Sequence, residues 1–374
     1  MKIAAARDKL LFSPGPLSTS EAVKRAMLRD LGSRDSEFLE IVRGIRRDLL
    51  LLCGPGWEEY EAIPMQGSGT FAVESMLSSS VPSTGTLLIL ANGVYGRRMA
   101  EIARVHGISF RLTEAPESHP VKAEAVADEL AREPATHVAV VHCETTTGLL
   151  NPVEEIGRVV RQAGSVFLVD AMSSFAGMPL DVRGAEIDFL VSSANKCIQG
   201  VPGFGFVIAR RSLLVLSKGH ARTLSLDLYA QWEGLERNGQ FRFTPPVQVL
   251  LGFREALDEL AEEGGIPARA ARYANNAGTL VAGMRELGFE TYLKDEDRSS
   301  IITTFRYPRD PKFEFETFYR LLSESGHVIY PGKLTGEDCF RIGSIGALTE
   351  ADMRSLLTAM ESVLRGMGIT LRRS

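Results

Sequence analysis

Three runs of this chain hold groups that can do chemistry. The first is Gln66-Gly67-Ser68-Gly69-Thr70, which leads into a helical pattern ending at Ser80. Glycines let the backbone approach an anion closely. A helix N-terminus aims free N–H groups and the positive end of its dipole at that anion, and Ser68 and Thr70 add hydroxyl donors. The run lacks the Gly-Lys-Ser/Thr ending of a P-loop and the full G-x-G-x-x-G spacing. A tight turn capped by Ser or Thr accounts for it equally well. The second run, Val166-Phe-Leu-Val-Asp170, is an apolar strand ending in a carboxylate. Burying that group is costly unless it pairs with a cation or a strong donor. The alternative is that Asp170 caps the next turn through Ser173 or Ser174. The third run passes from Phe189 through small residues to Asn195 and Lys196, then into Gly200-Val-Pro-Gly-Phe-Gly205. Desolvation lowers the pKa of a lysine and makes its amine a usable nucleophile. A lysine that snorkels to solvent from a strand end is the plainer alternative.

Elements of an α/β protein must position these groups. Short β-rich runs over 86–90, 109–112, 137–142, 165–170, 189–193 and 204–208 alternate with helical periodicities over 69–80, 96–105, 121–132 and 153–162. That alternation predicts a mostly parallel sheet covered by helices on both faces, with ligands at the carboxyl ends of its strands. Phe243-Thr-Pro-Pro246 breaks the pattern, since two prolines cannot continue a ladder. After it come an amphipathic stretch over 247–263, a Gly264-Gly265 turn, and a helix over 268–287. Strands near 300–305 and 340–342 and a last helix from Thr349 complete the chain. The expected division is an N-terminal segment over 1–16 packing with the small domain, a large domain over 17–246, and a small C-terminal α+β domain over 247–374.

Taken together, an anion cradle, a strand-end carboxylate and, 26 residues later, a strand-end lysine are what pyridoxal phosphate requires. Its phosphate takes a helix N-terminus, its ring nitrogen an acid partner, and its aldehyde a lysine amine. The run DFLVSSANKCIQGVPGFGFVI from Asp188 to Ile208 resembles the lysine signature of the class V aminotransferases. Further matching runs are FSPGPLSTS (12–20), QGSGTFAVES (66–75), ANGVYGRRM (91–99), HCETTTGLLNP (142–152), VDAMSSF (169–175), SLDLYAQW (225–232), VIYPGK (328–333) and DCFRIG (338–343). They spread over nearly the whole chain. Asn195 departs from the broad pattern, where His, Gln or Arg commonly precedes the lysine; there the chain is similar to the branch that acts on 2-aminoethylphosphonate and pyruvate.

The resemblance implies a fold-type I enzyme with a seven-stranded-type sheet and a ping-pong transamination belonging to phosphonate degradation. In it Lys196 holds the cofactor as a Schiff base and moves the proton, and Asp170 pairs with the pyridinium nitrogen. Ser68, Gly69 and Thr70 bind the phosphate, Tyr95 stacks on the ring, and Thr145 or Thr146 bonds the ring hydroxyl or the substrate. Thr244 reaches the phosphate of the neighbouring subunit, which implies a homodimer with shared active sites. Arg341, between apolar neighbours, offers a planar fork to a carboxylate or a phosphonate. His142, His220 and Cys197 are read as packing or hydrogen-bonding groups. The rival activity is an alanine:glyoxylate or serine:pyruvate transamination on the same fold. A cysteine desulfurase fits less well, because none of the four cysteines lies in a recognisable mobile loop. A non-catalytic phosphate- or nucleotide-binding protein would have no use for the Asp170 and Lys196 pair.

Composition narrows the partners. The chain of 374 residues has 42 basic and 47 acidic side chains, a net charge of -5, so it lacks the basic excess that drives binding to nucleic acid. Its four cysteines lie far apart, with no zinc-site spacing, and fit a reducing, cytoplasmic setting. Arg7, Asp8 and Lys9 interrupt the first apolar residues, which argues against a secretory signal. No run reaches 18 apolar residues, so no membrane span is expected.

Overall fold

A computed structural model describes residues 8–332, 334 and 336–369. Its centre is a seven-stranded sheet in the order Tyr60–Gln66, Phe204–Arg210, Phe189–Ser193, Val166–Asp170, His137–Val141, Thr86–Ala91, Ser109–Glu114. Phe204–Arg210 runs antiparallel to both neighbours, and the remaining pairs are parallel. The inner strands are continuous apolar runs, such as Val138 to Val141 and Phe167 to Val169, because both faces of the sheet are covered by helices. Those helices include Gly69–Ser80, Val94–Val105, Ala123–Arg132 and Val153–Gln162. The edge strand Ser109–Glu114 is half-exposed.

The expected strands are present. Tyr60–Gln66 has no counterpart among them, and its Pro64 would interrupt a ladder inside the sheet. Its place at the sheet edge resolves the conflict, because only Phe204–Arg210 pairs with it and the N–H that proline lacks is not needed on the open side. Ser36–Leu51 and Leu228–Asn238 are further helices, started by Asp35 and Asp227, whose carboxylates accept from Glu37 N–H and Ala230 N–H.

A second core gathers Phe12, Leu280, Phe289, Phe305, Phe318, Phe340, Met353 and Leu356. Around it stand a three-stranded antiparallel sheet and three helices, Gly265–Glu286, Phe315–Glu324 and Glu350–Gly366. In that sheet Cys339–Gly343 lies between Ile302–Arg306 and Tyr330–Pro331. Gly265–Glu286 starts earlier than its apolar period suggests, because Pro267 falls in the first turn, where its missing N–H is not needed. The last helix opens on a capping box between Thr349 and Asp352. Val247–Glu262 starts directly after Pro245-Pro246 and sends Leu250, Phe253, Leu257 and Leu260 into the first core.

The N-terminal stretch ties the two cores. Leu10–Leu11 pairs in parallel with His327–Val328, Phe12 sits in the second core, and the Phe12 carbonyl accepts from Gly343 N–H at 2.9 Å. Two residues further, the Pro14 carbonyl meets Lys196 at the end of the large sheet. Residues 1–7 of the expected N-terminal segment, and Lys333 of the VIYPGK run, lie outside the described residues. Among the described residues no helix is long and apolar enough to cross a membrane.

Candidate active site

The sheet order brings the three chemical runs to one edge. Val166–Asp170 and Phe189–Ser193 are parallel neighbours, with Asp170 opposite Val191. Phe204–Arg210 returns antiparallel, placing Gln66 opposite Phe204, so Gly67-Ser68-Gly69 leaves the sheet at the end where Asp170 and Ser193 finish. Gly69 is the point of closest approach: a Cβ there would lie 2.7 Å from Met172 Cε and 3.4 Å from Ser193 Cβ. The start of helix Gly69–Ser80 therefore touches both the turn after Asp170 and the strand before Lys196. Ser68 is exposed and its hydroxyl makes no capping bond; the first N–H groups that bond within the helix are those of Phe71 and Ala72, to the Ser68 carbonyl. Such an uncapped first turn is suited to an anion.

Asp170 is buried, and its Oδ1 accepts from Met172 N–H at 2.9 Å. It therefore does not cap through Ser173 or Ser174, whose hydroxyls bond the Cys143 carbonyl and His142 Nδ1. Burial pushes the Asp170 carboxyl up to about 6; Met172 N–H pulls the other way, Glu144 adds to the rise, and Lys196 and Arg98 oppose it. A carboxylate so placed gains from any cationic donor brought beside it. Lys196 is half-buried and donates from Nζ to the Pro14 carbonyl at 2.7 Å. A Cβ on Gly15 would lie 2.6 Å from that Nζ, and the φ of +128° at Gly15 also favours glycine. The loop that ties the two cores thus lies directly on the lysine.

Tyr95 stands in the first turn of Val94–Val105, half-buried, with the Arg98 guanidinium 5.0 Å from its ring centre. Arg98 Nη1 also donates to Thr70 Oγ1 at 3.4 Å, linking this helix to the start of Gly69–Ser80. The Tyr95 N–H donates to Glu144 Oε2 at 3.2 Å. Thr145 and Thr146 are both buried, and the Thr146 hydroxyl donates to Glu144 Oε1 at 2.5 Å.

Arg341 is fully buried in the middle strand of the small sheet. It donates from Nε to the Pro331 carbonyl at 2.9 Å and from Nη1 to the Thr145 carbonyl at 2.8 Å, with Tyr330 5.9 Å from the guanidinium. Among the described residues no carboxylate lies within ion-pair distance of it, so it is not half of a structural salt bridge. A buried cation without a counter-ion is costly and poised for an anionic ligand.

Thr244 is exposed, and its carbonyl lies 3.5 Å from Gln66 Nε2 of the same chain, beside the Gly67–Thr70 turn. His142 is buried and pushed down to about 4 by desolvation, a neutral partner of Ser174. Cys197 is buried, its thiol pushed up to about 12, and bonds the Ser173 carbonyl. Sequence reasoning passed over Pro14, Gly15, Gly93, Arg98 and Glu144. All lie inside the runs FSPGP, ANGVYGRRM and HCETTTG, and only the fold shows that they converge.

Comparison with known proteins agrees with this geometry. The family model described as aminotransferase class-V matches residues 22–344. The 2-aminoethylphosphonate–pyruvate transaminase of Phocaeicola vulgatus is 51% identical over 362 residues, 96% of this chain and 100% of the relative. Its Klebsiella pneumoniae namesake is 50% identical over 361 residues, 96% of this chain and 98% of the relative. Among solved structures, the ureidoglycine–glyoxylate aminotransferase of Bacillus subtilis superposes with a TM-score of 0.90 at 23% identity, over 98% of this chain and 96% of its own. The pyridoxamine–pyruvate aminotransferase of Mesorhizobium loti gives 0.89 at 26% identity, over 98% and 95%. With Lys196, Asp170 and the Gly67–Thr70 turn gathered at one end of the sheet, the chain belongs to the class V aminotransferases, enzymes of fold type I that use pyridoxal phosphate.

Proposed function

We propose that the protein transfers the amino group of 2-aminoethylphosphonate to pyruvate, giving phosphonoacetaldehyde and L-alanine. The names of the full-length relatives support this. The observation that carries it is Arg341, a buried guanidinium with two backbone acceptors and no carboxylate partner among the described residues. Donor and acceptor each carry one strong anion, a phosphonate or a carboxylate, and one guanidinium can receive them in turn.

The residues fit the cofactor. The uncapped start of Gly69–Ser80, with Ser68 and Thr70, suits its phosphate, and the absence of a side chain at Gly69 keeps that approach open. Tyr95 offers a ring face, and Asp170 a buried carboxylate for a protonated ring nitrogen. When bound, pyridoxal phosphate supplies an electron sink that acidifies the carbon bearing the transferred amine. Lys196 would hold the cofactor through Nζ, and its freed, neutral amine would carry the proton from the substrate carbon to the cofactor carbon, acting first as general base and then as general acid. Asp170, held by Met172 N–H, keeps the sink protonated. Thr145 gives its carbonyl to Arg341, and Thr146 gives its hydroxyl to Glu144, so this turn serves the site as a scaffold. Thr244 reaches the phosphate site of a second copy in a homodimer in the cytoplasm.

The test is a half-reaction without pyruvate, following the spectrum of the bound cofactor with 2-aminoethylphosphonate, L-alanine, L-serine and β-alanine in parallel. Rapid conversion with the phosphonate and not with serine is expected. Conversion by alanine or serine alone would leave an aminotransferase and remove the phosphonate. For Thr244, a mixed dimer pairing a Lys196→Ala subunit with a Thr244→Ala subunit separates the two residues. It leaves one site with both intact only if they come from different subunits.

A further inference from the structure

Glu144 has no part in the chemistry described so far, and its surroundings are unusual. It is completely buried in the short strand Cys143–Glu144 that follows His137–Val141, and among the described residues no cation lies within ion-pair distance of it. Its carboxylate instead collects neutral donors from two elements. Oε2 accepts from Tyr95 N–H at 3.2 Å, in the first turn of Val94–Val105. Oε1 accepts from Thr146 N–H at 3.3 Å and from the Thr146 hydroxyl at 2.5 Å. Between these contacts lies Thr145, whose carbonyl receives Arg341 Nη1 at 2.8 Å.

The neighbouring backbone is cleared for this side chain. A Cβ on Gly93 would overlap the Glu144 carboxylate carbon and lie 2.7 Å from Oε2. Gly93 has an extended φ of 177°, so space and not conformation calls for glycine there. A carboxylate at a helix N-terminus gains from the dipole and the free N–H groups, yet burying it without a cation is costly. What the arrangement yields is fixed geometry between the start of that helix and the turn beside Arg341.

We propose that Glu144 is a positioning residue that fixes Tyr95 and Arg341 relative to each other, by binding the start of the Tyr95 helix and the turn on which Arg341 rests. The role rests on the reading of Tyr95 as a cofactor contact and Arg341 as a substrate contact. Glu144 acts through them. In Glu144→Gln one acceptor becomes an NH2 group facing donors, and in Gly93→Ala the added methyl displaces the carboxylate while keeping its charge.

The test titrates apoenzyme with pyridoxal phosphate, records the visible circular dichroism of the holoenzyme, and completes a double-mutant cycle with Tyr95→Ala. Both Glu144→Gln and Gly93→Ala should weaken cofactor affinity about tenfold, a contact-sized effect of about 1.4 kcal/mol. They should also alter the visible band and raise KM for pyruvate. In the Tyr95→Ala background, Glu144→Gln should have little further effect on cofactor affinity. Full additivity in that cycle would overturn the role, since a general loss of packing adds to any other. So would Tyr95→Ala weakening the cofactor while Glu144→Gln and Gly93→Ala leave affinity and band unchanged. If Tyr95→Ala itself has no effect, the reading of the site falls, and this role with it. Should Glu144→Gln fail to fold, Gly93→Ala carries the test.

Discussion

Replacing Arg341 by Lys probes the substrate site most directly. The guanidinium spends its Nε–H on the Pro331 carbonyl and one Nη1–H on the Thr145 carbonyl, which leaves three of its five N–H groups for a ligand. Burial pulls its pKa below the ordinary value for arginine, and it stays charged at any pH of interest. A lysine carries the same charge at one point and cannot span two fixed carbonyls and a planar anion together. Losing one charge-assisted bond to substrate removes roughly 1.5–3 kcal/mol of binding in the transition state. At about 1.4 kcal/mol per factor of ten, kcat/KM falls about 10- to 150-fold. Each half-reaction is measured separately by stopped-flow, first with 2-aminoethylphosphonate and then with pyruvate on the aminated enzyme. Both should fall, because one guanidinium serves both anions. Loss in only one half-reaction would refute the shared site, and no change in either would remove Arg341 from it. The variant should also melt lower, since a buried carbonyl left without a donor costs about 1–3 kcal/mol.

Lys196→Ala should lose turnover and the visible absorption of the covalently held cofactor; near-normal turnover in a purified, metal-free assay would sink the assignment. Asp170→Asn should bind cofactor yet turn over slowly, and a fully active variant would refute the role given to that carboxylate. The same change has a second signature in the apoprotein. The folded Asp170 pKa is raised from 3.8 to about 6, so the folded state binds the extra proton and stability falls as pH rises between those values. Asn mimics the protonated form, so apo Asp170→Asn should melt above the wild-type apoprotein at pH 8, with a gap that narrows towards pH 5. An equal gap at both pH values would contradict this. Gly69→Ala puts a methyl against Met172 and Ser193, an overpacking of about 1–3 kcal/mol, and should weaken cofactor binding in equilibrium titration. Wild-type affinity would show that the cradle lies elsewhere.

Much of this protein was legible as local pattern. Unbroken apolar runs of β-formers gave away the inner strands, because strands covered on both faces need no polar alternation. The apolar period marked Gly69–Ser80 and Val153–Gln162, and Thr349 marked the start of the last helix. Ser68 to Thr70, Asp170 and Lys196 stood out because each sits where a strand or helix ends. Periodicity, caps and turn residues act over a few positions, so a chain read by itself displays them. What binds these parts into a site acts across much longer separations. Arg341 meets Thr145 across 196 residues and Lys196 meets Pro14 across 182. Pro64 is tolerated only because its strand lies at the sheet edge. Glu144 looked like one more polar residue of a threonine-rich turn until the helix bearing Tyr95 was seen to start against it. Sheet order and the packing of the second core against the first decide such contacts, and these depend on how whole elements pack, which no short stretch of sequence encodes.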